Sequence, residues 1–355
     1  MSTPVPFAVP RLFCPFDAAI HPEAEAVDRR AAAWVLELGA FLPDERSVKR
    51  TLAARSGLFA AMCMPHAEAS RLETFARCGY WAAAFEEVYC AGGPTRTAPD
   101  LFLPLAARLV RATQSQDPKI AAGSRFLAGL QDLTRCFAQH ASRHQMIRWT
   151  EAHRRWMTGN AELMAYRAAG RTPCLDDYLL TRLNSVGGDA FFTAQQMVVG
   201  PALSADECHA PAVRALVELA TTVTTCDSDL LSAAGGGTGP NDISLTVILA
   251  REYRLSAEEA IAHAIALRDR ALCRFLILQQ QVASRAGAQL RAFLECLGRS
   301  IRANLDWSVS FLSARHAARG FTTPSLGAWA DRPTNDSPHA PPLSAIAWLW
   351  DDFPC

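Results

Sequence analysis

The stretch LRAFLECLGRSIRANL, residues 290–305, carries the apolar pattern from which the fold class follows. Its apolar residues recur three or four positions apart, which places them on one face of an α-helix. They are Leu290, Phe293, Leu297, Ile301 and Leu305. The same spacing links Phe126, Leu130, Leu133 and Phe137, and also Val213, Leu216, Leu219 and Val223. No run of alternating β-branched residues bounded by turn residues is found, so the sequence predicts an all-α chain.

Bulk composition excludes several classes of protein. Half of the 355 residues are hydrophobic, which is enough for a large core, and Lys plus Arg (35) equals Asp plus Glu (35). A nucleic-acid-binding protein normally has a basic excess, so none is expected here. The eleven cysteines are scattered without a CxxC pair, which argues against a zinc ribbon. Without a leader-like N-terminus or an apolar run of about 18 residues, we expect a cytoplasmic protein with no membrane span.

Glycine and proline divide the chain into helical stretches. Helix ends are predicted at residues 91–94, at Val186-Gly187-Gly188-Asp189 and at residues 235–240. Residues 322–342 are rich in Pro, Ser, Thr and Asn and precede the apolar stretch Ala345–Phe353. We therefore predict one helical domain over residues 1–320 and a loosely attached, Pro-rich C-terminal tail over residues 321–355.

Several segments, taken in order, resemble bacterial class I terpene synthases over roughly residues 10–320. They are Pro15-Phe16, His21-Pro22 and Trp34; Trp81 to Cys90; Leu175 to Arg182 with Gly187-Gly188; Asp227 to Ser232; and Trp307 with Arg315-His316. The resemblance implies a single-domain helical bundle around a central apolar cavity. It also implies a Mg²⁺-dependent cyclase of a prenyl diphosphate, with farnesyl diphosphate as the expected substrate, and a homodimer as a common assembly.

The first metal motif of that family ends a helix with two aspartates and a third acid three positions beyond the second. This chain has Glu86, Glu87 and then Cys90 at those positions. The resemblance makes Glu86 and Glu87 candidate metal ligands, whereas a cysteine suits a hard cation poorly. Ordinary solvated glutamates at a helix end are the alternative interpretation.

The second metal motif of the family has an amide or carboxylate, a hydroxyl and a glutamate at every fourth residue. The matching positions here are Ser228, Ser232 and Gly236, so the glutamate is missing. Asp227 or Asp229 is a substitute carboxylate if the helix is rotated, and Asp229 is included among the candidate ligands. A cap or surface turn at Asp227 and Ser228 is the alternative.

Arg182 lies 46 residues before Ser228, the family's interval between its second metal motif and its diphosphate-sensing arginine. A guanidinium suits phosphate oxygens because it binds them through two N–H groups. The resemblance also makes Gly187 a candidate for exposing backbone groups to the cavity, and Arg315 a second phosphate contact. A surface ion pair of Arg182 with Asp176 or Asp177 is the alternative.

Aromatic side chains could line the cavity in which a carbocation cyclises. The candidates for contact with substrate are Trp81, Phe85, Phe191 and Trp307, with His316 in the place of the family's tyrosine. Simple core packing is the alternative for each aromatic residue.

The resemblance leaves three functional hypotheses open. The first is a terpene cyclase, and the second is a catalytically silent relative that binds an isoprenoid or a protein partner. The third is catalysis with fewer metal ions or with another way of starting the reaction.

Overall fold

The computed structural model describes residues 11–38, 42, 44–90, 93–200, 202–234, 242–309 and 329–353. These residues form helices with no strand; an isolated bridge joins Phe13 and Ala330. The α-helices are α1 (Ala24–Leu38), α2 (Glu45–Ala53), α3 (Ser56–Cys63), α4 (Ala69–Phe85), α5 (Pro99–Ala112), α6 (Arg125–Ala138), α7 (Arg143–Ala168), α8 (Leu175–Ser185), α9 (Gly188–Val199), α10 (Ala205–His209), α11 (Pro211–Ala234), α12 (Leu245–Glu252), α13 (Ala257–Ala283) and α14 (Ala288–Trp307). A π-helical turn, Glu86–Cys90, and the 3₁₀ turns Pro94–Thr97 and Ala347–Trp350 complete them. The all-α prediction is confirmed.

The helical stripes of the sequence form the core. The apolar residues that define them in α6, α11 and α14 are all buried. They belong to two hydrophobic clusters, one built around α11, α13 and α14 and the other around α4, α6 and α7. Phe191 of α9 packs against both clusters. The space between the two clusters is therefore where a ligand cavity can form in a helical bundle.

Helix starts follow from local sequence. Ser142 accepts a hydrogen bond from the backbone N–H of Gln145, and the Gln145 side chain accepts one from Ser142 N–H, which forms a capping box. Ser256 and Glu259 form the same box at the start of α13. These boxes satisfy N–H groups that have no partner within the helix, and so determine where the two longest helices of the described chain begin.

The C-terminal segment 329–353 is packed against the helical domain rather than loosely attached. Leu343, Ile346 and Leu349 are buried members of the α11–α13–α14 cluster. The backbone N–H groups of Ser344 and Ala345 donate to Asp176 of α8, and Trp348 Nε1 donates to Glu218 at 3.0 Å. The expectation of a loose tail is wrong for these residues, because the apolar stretch after the Pro-rich part supplies side chains to the core.

A buried ionic network ties both ends of the described chain to α13. Arg268, fully buried, donates to Asp227 of α11 at 2.8 Å and also to the carbonyl oxygen of Phe13. The neighbouring Asp269 accepts hydrogen bonds from Thr334 N and Oγ1 at 2.7 and 2.9 Å. Hydrogen bonding of this kind is what makes a buried ion pair tolerable, since an unpaired buried charge is strongly destabilising.

His153 of α7 is buried and opposes folding once it is protonated. Its Nδ1 lies 2.9 Å from the Trp149 carbonyl oxygen, and burial lowers the pKa of the imidazole from 6.5 to about 4. The unfolded chain takes up this proton near pH 6.5, whereas the folded chain does so only near pH 4, so acid favours unfolding in between. We expect about 3 kcal/mol of stability, present above pH 6.5, to be lost as the pH falls to 4.

Urea unfolding of the wild type and of a His153→Gln variant at pH 7 and pH 5 measures this effect. The variant keeps a side-chain donor but has no titrating group, so its loss of stability over this interval is expected to be smaller by about 2 kcal/mol. Equal losses in the two proteins would contradict the assignment of this pH dependence to His153.

No helix in the described ranges is long and apolar enough to cross a membrane.

Candidate active site

A helix break separates α8 from α9, as the sequence predicts. Gly187 has φ of 74°, in the left-handed region that favours glycine, and a Cβ there would lie 2.9 Å from the Trp156 ring. Trp156 Nε1 and Asn160 Nδ2 both donate to the carbonyl oxygen of Ser185, at 3.0 and 3.2 Å. The break is therefore held by side chains of α7, and only glycine fits at its centre.

A cavity of about 150 Å³ lies beside this break, between the two core clusters. Its lining residues come from α3, α9, α11, α14 and the break: Phe59, Val186, Gly188, Phe191, Phe192, Thr224, Ser228, Ser300 and Asn304. A larger pocket of about 440 Å³, lined mainly by α7 and α11 with residues of α8, α9 and α10, contains none of the predicted site residues. The predicted residues Phe191 and Ser228 meet in the smaller cavity.

Arg182 lies one turn before the break and is held from α11. Its Nη2 donates to Asp229 Oδ1 at 3.1 Å, and Tyr178 OH donates to Asp229 Oδ2. Leu245 N–H also donates to Oδ2, at 3.0 Å. Burial disfavours the charged guanidinium, but Asp229, Tyr178 and Glu86 together raise the pKa of Arg182 above its usual range. Arg182 therefore stays cationic and is paired with Asp229, not with Asp176 or Asp177.

Asp229, which the sequence suggests as a metal ligand, is occupied by these contacts. Both of its oxygens accept hydrogen bonds from protein donors. The other substitute carboxylate, Asp227, is fully buried and bound to Arg268. These two aspartates of α11 thus hold arginines.

The two glutamates of the first motif have different surroundings. They lie in the π-helical turn that follows α4, a local widening that is often found at functional sites. Glu87 is buried and forms an ion pair with Arg50 of α2. Glu86 is half-buried and has no hydrogen bond or ion pair with a described residue, although it lies within electrostatic range of Arg167 and Arg182. Glu86 is therefore the carboxylate of this motif that is open to a ligand.

Cys90, at the third position of that motif, has a structural partner. Its Sγ donates to Asn160 Oδ1 at 3.1 Å, and Asn160 in turn donates to the carbonyl oxygens of Trp156 and Ser185. Burial and the nearby Glu86 raise the pKa of the thiol, which therefore remains protonated and able to donate. These hydrogen bonds thus connect Cys90, at the end of the acidic motif, to the helix break through the side chain of Asn160.

The donors of the second motif are hydroxyls. Ser228 Oγ donates to Thr224 O at 2.9 Å, which leaves its lone pairs free on the cavity wall. Ser232 lies one turn further along α11 and is half-buried. Gly236, Arg315 and His316 lie outside the described residues.

The oxygen atoms of Glu86, Ser228 and Ser232 could supply only part of the ligand set of a divalent ion. No group of three His, Cys, Asp or Glu side chains in the described ranges could hold a metal. Mg²⁺, however, is often bound by one or two carboxylates together with water and substrate phosphates. Glu86, with the Ser228 and Ser232 hydroxyls, fits that role, while two full sets of protein ligands are not present in the described part of the chain.

The predicted aromatic residues divide into two groups. Trp81 and Phe85 are fully buried, stack on each other at 5.9 Å and pack with Phe126 and Trp156, apart from the cavity lining. Phe191 lines the cavity and packs against Phe59 at 5.5 Å, and Phe59 packs against Trp307 at 5.2 Å. Phe59, Phe191 and Trp307 therefore form one aromatic wall.

Sequence reasoning missed three residues of this site. Phe59 and Asn160 carry no motif, and only their contacts across helices place them here. Arg167, at the end of α7, is one of many arginines in the sequence. Its position in the last helical turn is a weak signal, because basic residues are common there for their interaction with the helix dipole.

Comparisons with known proteins agree with this architecture. The family model "Terpene synthase family 2, C-terminal metal binding" matches residues 77–274. Spiroviolene synthase of Streptomyces violens is 33% identical over 97% of both chains. A (+)-T-muurolol synthase of Streptomyces clavuligerus, named as cyclising (2E,6E)-farnesyl diphosphate, is 31% identical over 95% of this chain and 81% of its own.

A solved structure gives the same result in three dimensions. The crystal structure of the SVS_A2 protein from ancestral sequence reconstruction superposes with a TM-score of 0.86 at 34% identity, over 96% of this chain and 98% of that one. The region that the family model matches contains the helix break, Arg182 and the π-helical turn described above. The chain therefore belongs to the terpene synthases, a family of all-α lyases that form cyclic terpenes.

Proposed function

We propose that this protein cyclises farnesyl diphosphate in the cavity beside the α8–α9 break. The observation that carries the proposal is the placement of Arg182, fixed by Asp229 and one turn from the cavity lining at Val186. A cationic diphosphate-binding group next to an aromatic wall is the arrangement that ionisation and cyclisation need. The farnesyl diphosphate named for the T-muurolol synthase supports the choice of substrate.

In the proposed reaction the allylic C–O bond breaks and its electron pair leaves with the diphosphate. Arg182 binds the diphosphate through N–H groups that Asp229 does not use, and its fixed position means that little reorganisation is needed as negative charge develops. Asp229 and Tyr178 act as positioning residues, because they hold the guanidinium and do not themselves reach the substrate.

The aromatic wall acts on the carbocation that remains. The ring faces of Phe59 and Phe191, which line the cavity, attract positive charge, by about 0.5–2 kcal/mol for each well-placed ring, and Trp307 packs against Phe59. Phe59 and Phe191 also pack against the core clusters, so this side of the cavity is apolar.

We propose Mg²⁺ as the metal, held by Glu86 with Ser228 and Ser232 as further oxygen donors. When bound, the ion supplies Lewis-acid stabilisation of the leaving diphosphate. Glu86 is suited to this role because it has no ion-paired partner among the described residues, unlike Glu87, Asp227 and Asp229.

The direct test is incubation of the purified protein with C10, C15 and C20 prenyl diphosphates, with Mg²⁺ and with chelator. Diphosphate release and hydrocarbon products are measured together. Metal-dependent release with a cyclic C15 product is the expected result. A cyclic product from the C20 substrate alone would overturn the choice of farnesyl diphosphate, and no release from folded protein would overturn the proposed activity.

A Glu86→Gln variant tests the role of the unpaired carboxylate. We expect turnover to fall by about tenfold to one-hundredfold with little change in thermal stability, because a ligand for the cation is lost while no hydrogen bond or ion pair with a described residue is broken. Glu87→Gln is the matched control, since it breaks the buried ion pair with Arg50 and should mainly lower stability. Wild-type turnover in Glu86→Gln would show that Glu86 is not a ligand of the catalytic metal.

A further inference from the structure

Arg167 and Arg182 lie near Glu86, the first residue of the acidic motif, and a third arginine, Arg96, lies near Arg167. Each comes from a different element: the 3₁₀ turn Pro94–Thr97, the last turn of α7, and α8. Arg167 and Arg182 both lie within electrostatic range of Glu86, and Arg96 within range of Arg167. Two cationic side chains, Arg167 and Arg182, therefore lie near the carboxylate that is open to a ligand.

Two of these arginines already have a carboxylate. Arg182 is paired with Asp229 at 3.1 Å, and Arg96 with Asp242 at 3.2 Å. Arg167 differs from both, since it makes no hydrogen bond or ion pair within the described part of the chain. It is nevertheless half-buried, and burial together with Arg96 lowers its pKa. A guanidinium remains charged even so, supported by the nearby carboxylates of Glu86 and Asp242, but no hydrogen bond to a described residue holds its N–H groups.

The neighbouring contacts hold Arg167 close to the acidic motif. Asn160 of α7 accepts the hydrogen bond from Cys90, and Arg167 follows it by seven residues, or about two helical turns, on the same helix face. Cys90 and Glu86 both lie within electrostatic range of Arg167. Arg167 of α7 and Arg182 of α8 thus both lie within electrostatic range of the same carboxylate, Glu86.

The charges of this region do not favour a site made for several cations. Glu86, Asp229 and Asp242 supply three negative charges, and the three arginines supply three positive ones. Asp229 and Asp242 are each neutralised by an arginine, so the groups left over are Glu86 and Arg167. One carboxylate and one guanidinium together suit a polyanion that arrives with a cation.

We propose that Arg167 binds the substrate diphosphate together with Arg182, and that it supplies positive charge where Cys90 and Gly236 replace acidic residues of the two metal motifs. The inference rests on the proposed function, since it assigns a further diphosphate-binding residue to the same site. The second metal motif has lost its glutamate and the first has a donating thiol in place of an acid. The guanidinium of Arg167 offers two N–H groups to phosphate oxygens without needing either motif.

Calorimetric titration with inorganic pyrophosphate tests this role, because it needs no turnover. In the presence of Mg²⁺, Arg167→Ala is expected to weaken pyrophosphate binding by about tenfold to one-hundredfold, the loss typical of a charged hydrogen-bonding group. The same ratio is expected with chelator, since the arginine contact does not pass through the metal. Arg167→Lys, which keeps the charge but not the paired N–H groups, should have an affinity between those of the wild type and the alanine variant.

Arg154→Ala is the matched control. Arg154 is on the same helix, is 53% exposed and pairs with Glu151 three residues away, so its loss should leave pyrophosphate affinity unchanged. Arg167→Gln, of similar side-chain length, replaces the alanine variant if that variant does not fold. Thermal unfolding with and without pyrophosphate gives a second readout, because ligand stabilisation depends on affinity and not on intrinsic stability.

The outcomes separate this inference from the proposed function. Unchanged pyrophosphate affinity in folded Arg167→Ala overturns the role of Arg167 even if the wild type cyclises prenyl diphosphates. Weakened affinity in that variant supports the role even if the wild type forms no product, a result that would instead refute the proposed activity. If the wild type binds no pyrophosphate, the inference is overturned directly.

Discussion

A Cys90→Asp variant is expected to lose about 3–5 kcal/mol of folding stability at pH 7 and to gain no activity. The substitution restores the acid of the family's first metal motif. In this chain, however, the thiol donates to Asn160 Oδ1, and a carboxylate in its place would bring two acceptors together. Rotation of the Asn160 amide would only move the conflict, because its Nδ2 already donates to the carbonyl oxygens of Trp156 and Ser185.

The pH dependence of this variant identifies the cause. The introduced carboxyl group could donate to Asn160 only when it is protonated, so its folded-state pKa should lie above the usual value near 3.9. The variant should then be most stable below pH 3.9, the usual pKa of the unfolded state, and lose stability as the pH rises through the raised folded-state pKa. Chemical denaturation at pH 4 and pH 7 measures this, with Cys90→Ser, which keeps a donor, as the control. Equal or greater stability of the aspartate variant at pH 7, with faster diphosphate release, would contradict this account.

A Gly187→Ala variant is expected to lose about 2–5 kcal/mol of stability and most of its activity. Alanine at φ of 74° costs about 1–2 kcal/mol, because Cβ meets its own backbone. The remaining loss, about 1–3 kcal/mol, comes from the contact of that Cβ with the Trp156 ring at 2.9 Å. Movement of the break would also displace Val186 and Gly188 in the cavity wall. Urea unfolding and product formation from the expected substrate measure the two effects.

Gly170→Ala separates the two contributions. Gly170 also has a positive φ, of 60°, but a Cβ there would meet nothing within 4 Å. Its substitution should therefore cost only the backbone part and leave activity unchanged. Equal losses in the Gly170 and Gly187 variants would show that the Trp156 contact does not matter.

The helical fold was predictable because burial imposes a period on the sequence. The stripe from Leu290 to Leu305 is buried along its whole length, and the break at Gly187 is where the glycine pair indicated it. Arg182 could be identified because its distance from Ser228 along the chain is a family property. The stripe and the glycine pair are local patterns, and Arg182 and Ser228 are a fixed number of residues apart. A single sequence is therefore enough to recognise them.

The partners of the acidic residues could not be predicted. Glu86 and Glu87 are neighbours of the same type, yet Glu87 meets Arg50, 37 residues away, and Glu86 does not meet a partner in the described chain. Asp229 is held by Tyr178 and Arg182 in the same way. Which carboxylate already has an arginine partner depends on how the helices pack. Helix packing cannot be read from composition or from the spacing of residues.

The predicted metal ligands and substrate contacts thus stay predictions, of which the structure favours some by leaving them open to a ligand. Phe191 and Ser228 share a cavity wall, whereas Trp81 and Phe85 lie in a closed aromatic cluster, the core packing that was the alternative from the start. Aromatic residues at helical spacing look alike in a sequence whether they face a substrate or each other.

The network around α13 has a consequence for how the chain matures on the ribosome. The carbonyl group of Phe13 is available from the beginning of synthesis, but Thr334, which donates to Asp269, is made 65 residues after its acceptor. Until then Asp269 lacks these two hydrogen bonds, and the buried face of α11 lacks the contact with the 3₁₀ turn Ala347–Trp350 that contains Leu349. Closure of this part of the core must therefore follow translation of residues 334–349, and a nascent chain stalled before them would expose apolar surface to aggregation.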